Sequence, residues 1–176
     1  MWNDQKVSVV LMTYAEKDSI RHVIENFLAT GVVDEVLVVN NNAEAGTAEE
    51  VEATDARQVF ETRQGYGHAI RRGLVEATGD LIVLAEPDGT FLPQDIFKLL
   101  AYSGECDVVL GTRTTREMIW EGANMGWFLK WGNWAVAKLT EVMFNTVYLS
   151  DVGCTFRVIS RSGIDQMTPR FRGNGS

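Results

Sequence analysis

The chain has 176 residues, 45% of them apolar, which is enough to close one hydrophobic core without disulfide or metal staples and too short for two ordinary domains. Its 16 basic and 24 acidic side chains leave a net charge of −8, which excludes a nucleic-acid binder working by bulk charge, because a polyanion is repelled by such a surface. The average hides a gradient: residues 1–88 carry 7 basic against 16 acidic side chains, net −9, whereas residues 113–176 carry 8 against 5, net +3.

In chain order, Val7–Met12 predicts a strand, and Ile20, Val23, Ile24, Phe27 and Leu28 recur at helical spacing. Strands follow at Val36–Val39 and, more briefly, at Gln58–Glu61. Ala69, Ile70, Gly73, Leu74 and Ala77 mark a second helix, Leu81–Leu84 a strand, Ile96, Leu99 and Leu100 a helix opened by Pro93, and Val108–Leu110 a last strand. Continuous β-branched runs suit parallel strands covered on both faces, and the alternation predicts an α/β, Rossmann-like, doubly wound and mostly parallel sheet. Ligands of such sheets bind at the carboxyl ends of the strands. No repeat, low-complexity tract or linker divides the chain, so residues 1–176 read as one domain.

The acidic opening Met1-Trp2-Asn3-Asp4 and the lack of a small-residue cleavage site predict no signal peptide. Lys130, Lys138 and Glu141 interrupt the most apolar region, so no membrane span is expected and the chain reads as soluble or peripheral. Cys106 and Cys154, two lone thiols far apart in the chain, read as small core residues in a reducing cytosol.

Four polar segments fall at predicted strand ends: Thr13-Tyr14-Ala15-Glu16, Asn40-Asn41-Asn42-Ala43, Arg63-Gln64-Gly65-Tyr66-Gly67-His68-Ala69 and Glu86-Pro87-Asp88-Gly89-Thr90. Glu86 and Asp88 flank a proline on a tight turn, where a hard divalent cation would relieve their repulsion; the same residues also suit an ordinary Pro-Asp-Gly turn. Arg63, Gly65 and Gly67 either cradle an anion at a helix N-terminus or simply start the helix. As a dinucleotide fingerprint the segment fails, because it follows the wrong strand and has Ile70 where a third small residue is needed. His22 and His68 lack ligand-spaced partners and read as helix-surface or packing residues.

In order and spacing, these segments resemble the family 2 glycosyltransferases of GT-A fold, most closely the branch of dolichyl-phosphate mannosyltransferases and other polyprenyl-phosphate glycosyltransferases. The resemblance runs from about Val7 to about Arg161. It implies that Thr13, Tyr14, Glu16 and Asn41 meet the nucleobase and ribose of a UDP- or GDP-linked sugar, and that Arg63, Gly65 and Gly67 lie by the donor. It implies that Glu86 and Asp88 bind the diphosphate and Mg²⁺ or Mn²⁺. Gly111-Thr112-Arg113 looks like the family's Gly-Ser-Arg, and Ser150 to Arg157 resembles its Asp…Gly-Phe-Arg segment, with Asp151 facing the acceptor. Two positions depart from the pattern: Asn41 stands where the family usually has an aspartate, and Glu86 is one methylene longer than the usual first metal carboxylate.

The implied reaction is a single inverting displacement of the nucleoside diphosphate. The catalytic candidates are Asp151, Arg113 and Asp88, with Asp151 as general base for a hydroxyl acceptor or as cap of the following turn. Arg113, Lys130 and Arg157 are the candidates for holding a lipid phosphate, which is already ionised and needs only positioning. Residues 1–113 then form a donor-binding core and residues 114–176 an acceptor side, with further structure expected beyond Ser176.

From Met125 to Met143 a helical reading separates three stripes. Met125, Phe128, Leu129, Ala135, Val136, Leu139 and Met143 read as core; Trp127, Trp131, Trp134 and Lys138 form a second stripe; Lys130, Asn133, Thr140 and Glu141 are polar. The tryptophan stripe either lies in a membrane interface, helped by the local positive charge, or packs within the protein or a dimer. The expectation is a glycosyltransferase at the cytoplasmic face of a membrane, acting on a polyprenyl phosphate or related acceptor. The alternatives are transfer to a glycan or other hydroxyl, and a catalytically silent nucleotide-sugar-binding module.

Overall fold

The computed structural model describes residues 1–112, 127–145, 149, 151 and 153–171. They form two compact units, Met1–Val109 with Phe156–Ser176, and Leu110–Thr155. The elements of the first are β1 (Val7–Thr13), α1 (Lys17–Leu28), β2 (Glu35–Asn40), α2 (Thr47–Glu52), β3 (Arg57–Phe60), α3 (Tyr66–Glu76), β4 (Leu81–Ala85), α4 (Ile96–Ala101) behind a 3-10 turn at Pro93–Asp95, and β5 (Val108–Leu110). After α5 (Trp127–Phe144) of the second unit, the chain adds β6 (Arg157–Ser160) and α6 (Arg161–Phe171) to the first.

The sheet order is β3-β2-β1-β4-β6-β5. Strands β1 to β4 pair in parallel, and β6 runs antiparallel to β4 with Val158 opposite Val83. Every residue of β1 and β4 is buried, as the unbroken apolar runs predicted for strands covered on both faces. Val10, Met12, Leu37, Val39, Ile82 and Leu84 pack against Ala69 and Leu74 of α3 and Ile164 of α6. Gly73 permits this contact: a Cβ there would stand 2.3 Å from Val10 Cγ1. The bare backbone brings α3 directly onto β1.

At the amino end of the sheet lies a polar network. The Ser8 hydroxyl donates to Glu35 Oε2 at 2.5 Å and accepts the Gly79 N–H at 2.8 Å; Thr78 donates its N–H and hydroxyl to the same Glu35 oxygen, and Arg57 donates two N–H groups to Oε1. Burial pushes the Glu35 carboxyl up, but hydrogen bonds from Ser8, Thr78 and Arg57 outweigh it and hold the group below the usual glutamate range. Arg161, at the start of α6, donates to the carbonyls of Leu74, Ala77 and Gly79. Its guanidinium thus satisfies carbonyls at the end of α3, where the helix dipole favours a cation.

The expected strands and first helices are present, and α2, β6 and α6 are additional. β6 offers only Val158 and Ile159 between polar ends, and acidic α2 buries only Thr47 and Val51, so neither shows a periodic run. Three expectations are corrected. β5 is not apolar-covered on both sides: Val108 and Leu110 are exposed, because β5 is the edge strand. Cys106, just before it, is exposed, whereas Cys154 is buried as expected.

The third correction concerns α5. Ala135, Val136, Leu139 and Met143, read as a core stripe, are exposed, and the buried or half-buried residues are Asn133, Ala137, Lys138, Thr140 and Glu141. Asn133 and Glu141 turn inward because they have partners: Asn133 Nδ2 donates to buried Asp151 of the returning chain, and Glu141 accepts from Lys138 and from the Leu149 N–H. Met125 lies outside the described residues, as do the side chains of Phe128 and Leu129. Among the described residues, no helix is long and apolar enough to cross a membrane.

Candidate active site

At the carboxyl ends of β1, β2 and β4, a cleft of about 320 Å³ is lined by Met12, Thr13, Tyr14, Glu16, Asn41, Gln64, Gly65, Tyr66, Ala69 and Glu86. Three of the four segments singled out in the sequence meet on its wall, and the fourth contributes Glu86. Parallel strands impose this convergence, since each hands its next residues to the same sheet edge.

The wall after β1 is held by Glu16, whose Oε2 accepts the Thr13 hydroxyl at 3.1 Å, the Tyr14 N–H at 2.7 Å and the Ala15 N–H at 2.9 Å. Glu16 therefore shapes its own loop, leaving the Tyr14 ring exposed beside the cleft. Asn41, buried after β2, donates Nδ2 to the carbonyls of Glu61 at 2.7 Å and Arg63 at 2.9 Å, while its Oδ1 accepts the Gly65 N–H at 2.8 Å. Both its amide hydrogens and one carbonyl lone pair are thus spent on the loop between β3 and α3.

Glu61 lies buried in that loop. Its Oε1 accepts the Arg63 N–H at 2.9 Å and Arg63 Nε at 3.3 Å. The hydrogen bond from the Arg63 N–H, then that from its side chain, hold the Glu61 carboxyl below the usual range, with charge from Arg63 and His68 in support. The Arg63 side chain is 67% exposed, so its head remains open to solvent. Gly65 precedes α3 with φ +137°, a conformation that side chains rarely adopt. Gly67 is exposed in the first turn, where backbone N–H groups lack intrahelical acceptors, and a Cβ there would meet only open space.

On the opposite wall, Glu86 makes no hydrogen bond or ion pair among the described residues. Asp88 is exposed, and its Oδ1 accepts the Thr90 N–H at 2.9 Å and hydroxyl at 2.7 Å. The Ser19 hydroxyl of α1 donates to the Pro87 carbonyl at 2.6 Å and fixes the turn that carries both carboxylates. No group of three metal-ligating side chains occurs among the described residues, so Glu86 and Asp88 stand as a pair. Arg157 pairs in register with Leu84, two residues before Glu86, which puts it at the same end of the sheet.

In the second unit, Asp151 is buried and accepts hydrogen bonds from Asn133 and, at 2.9 Å, from the Gly153 N–H, which is a turn-capping arrangement. Arg113 and the Lys130 side chain lie outside the described residues. Sequence reasoning gave no site role to Glu61 or Ser19, and placed Gln64 and Tyr66 only as members of the Arg63-to-Ala69 segment. Glu61 was legible only as the end of a short strand, and no local pattern marks a serine 68 residues before the loop it ties down; only the fold brings Ser19 to Pro87.

An open, mostly parallel α/β sheet with its cleft at the strand carboxyl ends is the architecture of a GT-A domain. The chain belongs to glycosyl transferase family 2, whose family model matches residues 8–167. Solved structures of the same fold include glucosyl-3-phosphoglycerate synthase from Mycobacterium tuberculosis, at 22% identity and a TM-score of 0.69 over 90% of this chain and 58% of that one. The same synthase in complex with Mn²⁺, UDP and phosphoglyceric acid matches at 20% identity and a TM-score of 0.66, covering 90% and 57%. Its complex with Mn²⁺, UDP-glucose and glycerol 3-phosphate matches at 20% and 0.68, covering 90% and 58%. The chain thus spans just under three fifths of the length of these neighbours.

Proposed function

We propose that this domain transfers a sugar, with inversion, from a nucleotide-diphosphate donor to a polyprenyl phosphate or related membrane-associated acceptor. The observation that carries the donor half is the unpaired Glu86 carboxylate on the wall of a cleft otherwise built from Thr13, Asn41 and the glycine loop. A half-buried carboxylate with both oxygens uncommitted among the described residues is free to meet a cation in the cleft. With Asp88 two residues on and its Oδ2 open among the described residues, the donor set is hard, charged and oxygen-only, which fits Mg²⁺ or Mn²⁺. When bound, such an ion supplies Lewis-acid stabilisation of the departing diphosphate.

The chain's own residues do the remaining work. Thr13, Tyr14 and Glu16 form the wall against which the nucleoside lies. Gly65 and Gly67 let the diphosphate approach the N-terminus of α3, where N–H groups and the helix dipole favour an anion. Arg63, held by Glu61 but exposed at its head, adds positive charge beside it.

On the acceptor side, Arg113, Lys130 and Arg157 are the proposed holders of a phosphate. The exposed Trp131, Trp134, Leu139 and Val142 of α5 support an acceptor that resides in a membrane, because tryptophan beside aliphatic side chains suits the bilayer interface. A second reading is transfer to the hydroxyl of a soluble phosphate-bearing acceptor. It is favoured by the neighbours' complexes with phosphoglyceric acid and glycerol 3-phosphate, and in it Asp151 is the general base.

Calorimetry with UDP- and GDP-sugars, with and without Mn²⁺, tests the donor half. Metal-dependent binding that is lost in Asp88→Asn is expected; metal-independent binding indifferent to Asp88→Asn would overturn the metal assignment. Transfer assays with a short polyprenyl phosphate beside glycerol 3-phosphate then separate the two acceptors. Binding without transfer or donor hydrolysis would identify a catalytically silent module.

A further inference from the structure

We propose that Asn41 is a positioning residue that builds the diphosphate end of the cleft by clamping the loop before α3, rather than a reader of the nucleobase. This rests on the donor reading above. The amide uses opposite chemistries on one segment: it donates to two carbonyls, of Glu61 and Arg63, and accepts from one N–H, of Gly65. Only a side chain with two hydrogens on one atom and a carbonyl on the other satisfies all three at once. The three bonds fix residues 61–65, the stretch that sets Arg63 beside Glu61 and aims Gly65 and the first turn of α3 at the cleft. With both hydrogens committed and the residue buried, Asn41 has no donor left for a base edge.

An aspartate at position 41 is isosteric but, when ionised, places negative oxygen against two carbonyls. Protonated, it donates once and still accepts from Gly65. The titratable and charged groups that share the loop or the cleft with it are Glu61 and Arg63 of the loop, His68 of α3, Glu16 after β1 and Glu86 after β4. Two facing carbonyls raise the pKa of the introduced carboxyl, so the clamp in Asn41→Asp re-forms on acidification.

The test titrates wild type and Asn41→Asp with UDP and GDP, and separately with uridine and guanosine, at about pH 8 and about pH 5.5. At the higher pH, Asn41→Asp is expected to weaken nucleoside diphosphate binding about tenfold or more relative to wild type. Nucleoside binding stays within about twofold, and the diphosphate gap narrows at the lower pH. Equal losses for nucleoside and diphosphate would overturn the proposal in favour of base reading, and wild-type affinity at both pH values would overturn the clamp. Hydrogen exchange at the Gly65 amide, faster in Asn41→Ala and in Asn41→Asp at the higher pH, reads the clamp without any ligand; unchanged exchange would overturn it. If wild type binds neither diphosphate, the donor reading falls, and with it the role in positioning a diphosphate, whereas the Gly65 exchange still reports whether the clamp exists.

Discussion

Glu35, at the start of β2, shows how a single carboxylate is made structural. Ser8, Thr78 and Arg57 all donate to it from β1, the loop before β4, and β3, joining three segments that are remote in sequence. Its pKa is lowered in the folded state, so its contribution is fully present above the ordinary glutamate pKa and is lost as pH falls through the folded value. Glu35→Gln is expected to cost about 2 kcal/mol, because hydrogen bonds to a charged acceptor are replaced and an amide N–H₂ now faces the Arg57 guanidinium. In urea denaturation the gap between the two proteins is full above about pH 5 and closes as pH falls below the ordinary glutamate range. A gap independent of pH would show that the lost side-chain geometry, not the charge, matters. For Asn41 the position at a strand end was legible in the sequence but the partners were not, and Glu35, just before the expected Val36–Val39 strand, carried no signal of its own.

At the level of elements, α3 meets β1 through Gly73. Alanine is the better helix former by about 1 kcal/mol, so an exposed helical glycine would gain stability on substitution. Here the new methyl would lie 2.3 Å from Val10 Cγ1, inside a fully buried strand whose β-branched side chain has little rotational freedom. The clash wins: Gly73→Ala is expected to destabilise by roughly 1–3 kcal/mol, read as a lower urea midpoint. A raised midpoint would mean that α3 can shift away from the sheet at little cost. Helix α5 teaches the converse. Its apolar periodicity is real, yet beside buried Ala137 the half-buried residues are Asn133, Lys138, Thr140 and Glu141, because a buried aspartate and a returning backbone N–H need polar partners more than the helix needs to bury Leu139.

Over the molecule as a whole, the two ends of the sheet divide the work: the Glu35 network closes the amino end, and the carboxyl end opens into the cleft. The exposed face of α5 is the other large-scale feature. Trp131 and Trp134 pack with ring centroids 5.9 Å apart and are 61% and 46% exposed. On the membrane reading, replacing Trp127, Trp131 and Trp134 by serine is expected to abolish binding to anionic vesicles with the circular dichroism spectrum intact. Vesicle binding equal to wild type would overturn that reading and favour a soluble acceptor.

The alternation of apolar runs and helical stripes in the sequence determined the α/β class, the first five strands and the segments that meet at the cleft. It did so because parallel strands buried on both faces demand continuous apolar sequence, and because one sheet edge collects every strand's following residues. The inserted antiparallel β6 was not legible, since two apolar residues between polar ones fit many structures. Which polar residues serve the scaffold and which remain open was decided only by the tertiary structure. Asn41, Glu16 and Glu61 find hydrogen-bond partners within the loops, and Glu86 finds none among the described residues, a distinction set by distances across segments up to 24 residues apart, as between Asn41 and Gly65. Hydrogen bonding depends on such distances to a few tenths of an ångström, and residue type and spacing carry no record of them.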